Sequence, residues 1–201
     1  TVKDDGPAFI VADIGHNHAG KMWRLEEMVE AAKASGVNAV KFQTREPKEV
    51  YSPIEYYRRS DNVQWMNETY GIHREKLEWS PEEWKHVFEF CKTSGITAFS
   101  TPFDFRSLDL LIGLNVPAVK IASGDATNLP HIRAAASHGL PLIISTGGCD
   151  ISEVDDIVEA MQKSSAPFAL LQCSCIYPAP HDVLNIRVIQ QYRERYPEVQ
   201  T

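Results

Sequence analysis

Short apolar runs, rich in β-branched residues, recur along the chain at Phe9–Asp13, Ala39–Gln43, Ala98–Thr101, Ala118–Ala122, Leu142–Ser145 and Phe168–Gln172. Their length and composition predict buried parallel strands. Between them, apolar residues recur at helical spacing over 22–35, 81–94, 105–114, 130–138, 151–163 and 185–196. The punctuation agrees with this division. Ser35-Gly36 and Ser94-Gly95 close helices with a C′ glycine, and Ser80-Pro81-Glu82-Glu83 opens one with an N-cap serine, a proline at N1 and an acidic N3.

Strand and helix therefore alternate through six βα units, which predicts a parallel α/β architecture. Two versions of it compete. An open doubly wound sheet calls for a glycine-rich dinucleotide turn after the first strand. The chain instead has Ile14-Gly-His-Asn-His-Ala-Gly20, which lacks that spacing. A TIM-type (β/α)8 barrel is the preferred expectation, present as about six units. The chain stops at Pro197-Glu-Val-Gln-Thr201, where a seventh strand would begin, so strands 7 and 8 are expected to be missing. The opening Thr1 in place of Met points to a trimmed chain. Two open strand edges would favour self-association.

One interval breaks the rhythm. The run at 39 and the run at 98 are separated by an insert, roughly 45–79, carrying many charges and Tyr51, Tyr56, Tyr57, Trp65 and Tyr70. A loop that follows a parallel strand lands on the carboxyl face of the sheet, so the insert is a candidate lid or substrate-binding loop.

Composition narrows the partners. The 201 residues suit one globular domain, and a formal net charge of −7 with no basic stripe argues against nucleic acid or an anionic membrane. No run approaches the roughly 20 apolar residues of a membrane span, and no signal peptide opens the chain. Of Cys91, Cys149, Cys173 and Cys175 only the last two are close, and on a strand they would point to opposite faces. Neither a zinc spacing nor a disulfide framework results, so reduced thiols in a cytoplasmic protein are expected.

In a barrel of this type the chemistry sits at the carboxyl ends of the strands. Those ends carry Asp13, Lys41 and Gln43, Ser100 and Thr101, Lys120 and Ser123, Ser145 and Thr146, and finally Ser174 and Tyr177. The lysines are the informative members, because each lies inside an apolar strand where an ammonium is costly unless paired or bound to an anion. Two lysines and several hydroxyls suit a small phosphate- or carboxylate-bearing substrate. The plainer account has each lysine snorkelling to solvent or paired with a structural carboxylate. His16 and His18 could both reach a metal from an extended loop, although ordinary backbone hydrogen bonds are the preferred account. His73, His86, His131 and His138 are expected at the surface. Tyr177-Pro-Ala-Pro180 is a rigid corner able to present Tyr177 to a ligand.

The blocks Ile10-Val-Ala-Asp-Ile-Gly-His-Asn-His18, Val40-Lys-Phe-Gln43, Ser100-Thr-Pro-Phe-Asp104, Lys120-Ile-Ala-Ser-Gly-Asp125 with Asn128-Leu-Pro130, Ile144-Ser-Thr-Gly147, and Leu171-Gln-Cys173 leading into Tyr177-Pro-Ala-Pro180 together resemble the sialic acid synthase family. That family comprises N-acetylneuraminate synthase, its 9-phosphate-forming relatives, and the legionaminic and pseudaminic acid synthases. The resemblance implies condensation of phosphoenolpyruvate with an open-chain N-acyl hexosamine, such as N-acetylmannosamine or its 6-phosphate, to give a nonulosonic acid and phosphate. It implies a divalent metal, Mn²⁺ or Mg²⁺, whose ligands lie on strands 7 and 8 and so outside this chain; no metal ligand is assigned within 1–201. Also by resemblance, Lys41, Thr101, Lys120, Ser123 and Ser145 form the phosphoenolpyruvate cradle with Gln43 beside it. Asp125 belongs with the substrate-binding residues, and Asp13 and Tyr177 are sugar-side residues. Asp13, Lys41 and Lys120 are the candidate catalytic groups.

Two departures accompany the likeness. The family usually has glutamate where Asp13 stands, and an asparagine where Cys175 stands. The family's C-terminal antifreeze-like domain, which reaches across a homodimer, is expected to be missing from this stretch, which alone is expected to be inactive. The alternatives are a Schiff-base sugar-acid lyase using Lys120 or Lys41, and a non-catalytic truncated barrel.

Overall fold

The computed structural model describes residues 6–59 and 68–201. Trp65, one of the aromatics of the insert, lies outside the described residues. The chain divides into two compact units, one spanning Ile10–Val116 and the other built on Pro117–Thr201.

In the first unit three parallel strands follow in chain order, β1 (Val11–Gly15), β2 (Ala39–Thr44) and β3 (Thr97–Pro102). Helix α1 (Met22–Ala34) connects β1 to β2. Three short helices, α2 (Pro47–Val50), α3 (Pro53–Tyr57) and α4 (Tyr70–Glu75), then lead to α5 (Pro81–Ser94), and α6 (Phe105–Gly113) follows β3. Along β2 the apolar Val40 and Phe42 are buried while Lys41 and Gln43 alternate with them as half-buried positions, the period-2 pattern of a strand with two different faces. The apolar face meets Leu25, Val29, Trp84, Val87 and Cys91 from α1 and α5 in one core, where the Phe42 and Trp84 ring centroids are 6.0 Å apart. The expected capping box of α5 is present. The Ser80 hydroxyl accepts the Glu83 amide, the Glu83 carboxylate accepts the Ser80 amide, and Gly95 ends the helix in the left-handed region.

The second unit repeats the pattern with β4 (Val119–Ile121), β5 (Leu142–Ser145) and β6 (Phe168–Leu171), again parallel and in chain order. Helices α7 (Leu129–Ser137) and α8 (Ile151–Gln162) follow β4 and β5, and α9 (Val188–Arg195) follows β6. Ile121, Ile132, Leu142, Ile144, Ile157, Met161 and Leu170 are its largest fully buried side chains. The Leu170 amide donates to the Gln200 carbonyl at 2.8 Å, and Ala169 and Gln200 form a parallel bridge. This pairing is a single isolated bridge, outside the strands named here.

Several details depart from expectation. β1 begins two residues later than its apolar run, leaving Phe9 and Ile10 exposed. The Asn38 side chain accepts the Ile10 amide there, taking the place of a ladder partner. β6 is only partly buried and ends at Leu171, so Cys173 and Cys175 lie in the following loop and not on opposite faces of a strand. His131 is buried rather than superficial, because it occupies the first turn of α7 on the helix face that packs inward with Ile132, Ala135 and Ala136. Among the described residues no helix is long and apolar enough to cross a membrane.

Candidate functional site

In the first unit, parallel register sets Asp13 beside Lys41 and Gln43 beside Thr101. Lys41 Nζ is 2.9 Å from Asp13 Oδ1, and the carboxylate is more than half exposed whereas the lysine is largely covered. The register shifts between Asp13 and Gly15, where Gly15 takes a φ of 51° that a side chain would resist. This bulge turns the strand end. Thr101 is buried, and on its neighbour the Ser100 hydroxyl shares a 2.7 Å hydrogen bond with Thr44.

Behind this corner lies a network of which only His16 belongs to a motif singled out in the sequence. Arg45, buried, donates from Nη2 to Gln43 Oε1 at 2.6 Å and lies 4.1 Å above the Phe103 ring. Glu78, at the far end of the insert, accepts the Arg45 backbone amide at 3.1 Å and stands 3.7 Å from Arg45 Nε. His16 Nε2 is 3.1 Å from Glu78 Oε1, and Arg74 Nη1 is 3.1 Å from His16 Nδ1. Arginine has donors only, so His16 Nδ1 accepts and its proton sits on Nε2, directed at Glu78. Burial, helped by Arg45 and Arg74, holds His16 down to about 3. Burial pushes Glu78 up to about 7 against the pull of Arg45. For Arg45, Arg74 and Glu78 the only sequence signal was the density of charge in the insert.

These histidines do not suit a metal. Both ring nitrogens of His16 are engaged. His18, fully buried and 4.2 Å from the Trp79 ring, accepts the Gly20 amide at Nδ1, which leaves its proton on Nε2 and no lone pair to offer. Burial holds His18 down to about 4. Among the described residues no group of three or more His, Cys, Asp or Glu side chains is placed to hold a metal ion. Gly20, with φ of 69°, lies so close to the Lys76 carbonyl that a Cβ would sit 2.1 Å from it. The described end of the insert is thereby fastened to the β1–α1 loop.

In the second unit Lys120, 8% exposed, donates from Nζ to Ser145 Oγ on the neighbouring strand and to the Ile121 carbonyl, each at 2.6 Å. Ser123 opens a short 3-10 turn that ends at Asp125, and its hydroxyl accepts the Gly147 amide at 3.1 Å. A Cβ at Gly147 would lie 2.6 Å from Cys175 Sγ and 2.8 Å from Ser123 Oγ, so only glycine fits without displacement. Thr146 donates to the Leu171 carbonyl and accepts from Tyr192 Oη at 2.8 Å. Beyond the ends of β5 and β6 is a cavity of about 460 Å³ whose walls include Thr146, Cys149, Cys173, Cys175, Gln191 and Tyr192. Tyr177 is 95% exposed. The candidate residues are thus grouped as Asp13–Lys41, Gln43 and Thr101 in one unit, and Lys120–Ser145, Ser123 and Asp125 in the other, with Tyr177 standing apart in solvent.

Parallel strands alternating with helices, with lysine, hydroxyl and amide side chains near their carboxyl ends, define an α/β protein. The NeuB family model matches residues 28–201, and the chain belongs to the NeuB family. It is 37% identical over 194 residues to an N-acetylneuraminate-9-phosphate synthase of Drosophila melanogaster, covering 95% of this chain and 52% of that protein. It is 37% identical over 194 residues to an N,N′-diacetyllegionaminic acid synthase of Legionella pneumophila, covering 94% and 54%. Among solved structures, an N-acetylneuraminic acid (sialic acid) synthetase from Leptospira borgpetersenii, in complex with citrate, superposes with a TM-score of 0.82 at 30% identity, over 95% of this chain and 62% of that one. The chain spans about half the length of the curated relatives it matches.

Proposed function

We propose that the protein carrying this chain condenses phosphoenolpyruvate with an open-chain N-acyl hexosamine to give a nonulosonic acid and phosphate. On this reading the six strands are consecutive strands of a TIM-type (β/α)8 barrel, and their carboxyl ends carry the chemistry. The observation that carries it is Lys120, buried on β4 with its ammonium bonded to the Ser145 hydroxyl. A covered ammonium beside a hydroxyl is a ready donor set for phosphate or carboxylate oxygens. Membership of the NeuB family, and the synthases among its members, support the same conclusion.

C3 of phosphoenolpyruvate forms the new bond to the sugar aldehyde carbon, whose oxygen takes up a proton. Water adds at C2, and phosphate leaves with its bridging oxygen as the C2–O bond breaks. By the family resemblance, Lys41, Gln43, Thr101, Lys120, Ser123 and Ser145 are the groups assigned to the phosphoenolpyruvate oxygens, where they would stabilise developing charge, and Asp125 is a further substrate-binding residue. Asp13 and Tyr177 serve the sugar. Lys41 donates to Asp13, the carboxylate pairing that the sequence left open for it, so the donor role toward an anion rests chiefly on Lys120. A divalent metal, polarising the aldehyde when bound, would take its ligands from residues other than His16 and His18. A homodimeric, cytoplasmic enzyme completes the proposal.

The test is phosphate release from phosphoenolpyruvate by the protein that carries this chain, with N-acetylmannosamine, its 6-phosphate or a diacetylated analogue, with and without Mn²⁺. Release that needs the sugar, and that falls by about 100-fold or more in Lys120→Met, is the expected result. No release with any of these sugars would sink the synthase reading. Trapping by borohydride with pyruvate would replace it with a lyase.

A further inference from the structure

A glutamine amide can present either its oxygen or its nitrogen to a ligand, and nothing in its own covalent structure decides which. At Gln43 a neighbour decides it. Arg45 lies two residues on, so both side chains leave the strand and its extension on the same side. Its Nη2 is 2.6 Å from Gln43 Oε1. A guanidinium has five donors and no acceptor, so the amide must turn its oxygen toward Arg45. The nitrogen then faces away, into the bulge: Gln43 Nε2 is 3.6 Å from the point where a Cβ on Gly15 would lie, and Asp13 Oδ1 is 3.5 Å from that same point.

The guanidinium is itself held in place. It is buried, it stacks on Phe103 at 4.1 Å, and Glu78 lies beside it at 3.7 Å. Glu78 accepts the Arg45 backbone amide as well, and its other oxygen takes the proton of His16, whose tautomer is set by Arg74. The bonds from Arg74 to His16 and from Arg45 to Gln43 each have one direction only, because a guanidinium donates and cannot accept, while Glu78 meets Arg45 through the backbone N–H and through charge.

We propose that Arg45 is a positioning residue: it fixes the Gln43 amide so that the side chain offers a donor, and never an acceptor, to a substrate oxygen beside Asp13 and Lys41. Its bearing on catalysis rests on the proposed function, in which Gln43 touches phosphoenolpyruvate. An anionic oxygen gains a hydrogen bond from Nε2 and would be repelled by Oε1, so locking the amide spares the substrate the cost of ordering it. Arg45 lies outside the Val40-Lys-Phe-Gln43 block that carried the family resemblance.

Two measurements test this, one of them independent of turnover. In ¹⁵N-labelled protein, the Gln43 side-chain amide, assigned by its loss in Gln43→Leu, should be as rigid as the backbone and should become mobile in Arg45→Met. Because Arg45→Met leaves Glu78 buried beside an apolar chain, Arg45→Met/Glu78→Gln, which removes both charges, is made alongside it. In steady-state assays that double variant should raise KM for phosphoenolpyruvate by about 10-fold with a much smaller change in kcat, and Arg45→Lys should recover part of it. In a Gln43→Ala background the Arg45 substitution should have no further effect on KM. A mobile amide in the native protein, an unmoved KM in the folded double variant, or full additivity with Gln43→Ala would each overturn the role given to Arg45. A rigid amide in a native protein that releases no phosphate would instead overturn the synthase reading and leave the clamp standing.

Discussion

The two units solve the same problem, a lysine near a strand end, with different materials. In Ile10–Val116 the solution is charge. Lys41 is answered by Asp13, and behind them Arg45, Glu78, His16 and Arg74 form a covered network anchored in the insert. In Pro117–Thr201 the solution is shape. The Lys120 ammonium is seated on a hydroxyl and a main-chain carbonyl, and Ser123, Thr146 and the bare Cα of Gly147 let three chain segments approach closely. The long charged side chains of the first unit are ordered largely by one another, and so they take partners from distant segments. Short hydroxyls and a glycine need only the backbone to arrive in the right place. The first unit should therefore be brittle toward loss of a charge, and the second toward gain of volume.

The largest expected effect is in the charged unit. At about pH 8, where the Glu78 carboxyl is ionised, Glu78→Ala leaves the buried Arg45 guanidinium without its counter-charge and should lower stability by about 3–5 kcal/mol in denaturant unfolding. An effect under about 1 kcal/mol would show that Glu78 is not an electrostatic keystone. Acid should probe the same network. His16 and His18, held at about 3 and about 4 in the fold, take up protons on unfolding as pH falls below the ordinary 6.5, which costs stability. Glu78, held at about 7 against an ordinary 4.5, works in the opposite direction between those values. Two protons against one leaves a net loss of about 1.4 kcal/mol per pH unit between pH 6.5 and 4.5, to which His73, also held below its ordinary value by burial, adds. His18→Gln should remove one proton of that slope, and a flat profile in the native protein would contradict the burial of both rings.

In the second unit the decisive change is volume. Gly147→Ala forces a methyl against Cys175 Sγ and Ser123 Oγ and should cost about 1–3 kcal/mol. Gly124→Ala, where a Cβ meets nothing within 4 Å, is the control. Equal effects from the two would remove the steric argument. The smallest effect belongs to the capping box of α5. Ser80→Ala loses the bond from the Glu83 amide and should cost about 1 kcal/mol.

How much of this was legible beforehand differs between elements. Helices α1, α5, α6 and α8 fall within two residues of their apolar periodicity, because a helix of more than about eight residues carries its own phase and its own caps. β1 began late and β6 ended early, because a strand's ends are set by its neighbours in the sheet and not by its own composition. His131 was assigned to the surface for want of any sign of which helix face packs inward. The lysines at strand ends were visible as charged residues within apolar runs. Arg45, Glu78 and Arg74 were not, since nothing in a run of mixed charges says which members will meet.

The sequence by itself determined the alternation of strand and helix, the capping of the longer helices and the placing of Lys41 and Lys120 within apolar strands, since these depend on spacing along the chain. It also carried the blocks by which the family was recognised. Only the tertiary structure decided that Arg45 would turn the Gln43 amide, that Glu78 would be brought 33 residues back to Arg45, and that Gly147 would lie against Cys175 and Ser123. Local periodicity specifies which way a side chain points. What it then touches depends on segments that come together only once the core between them has closed.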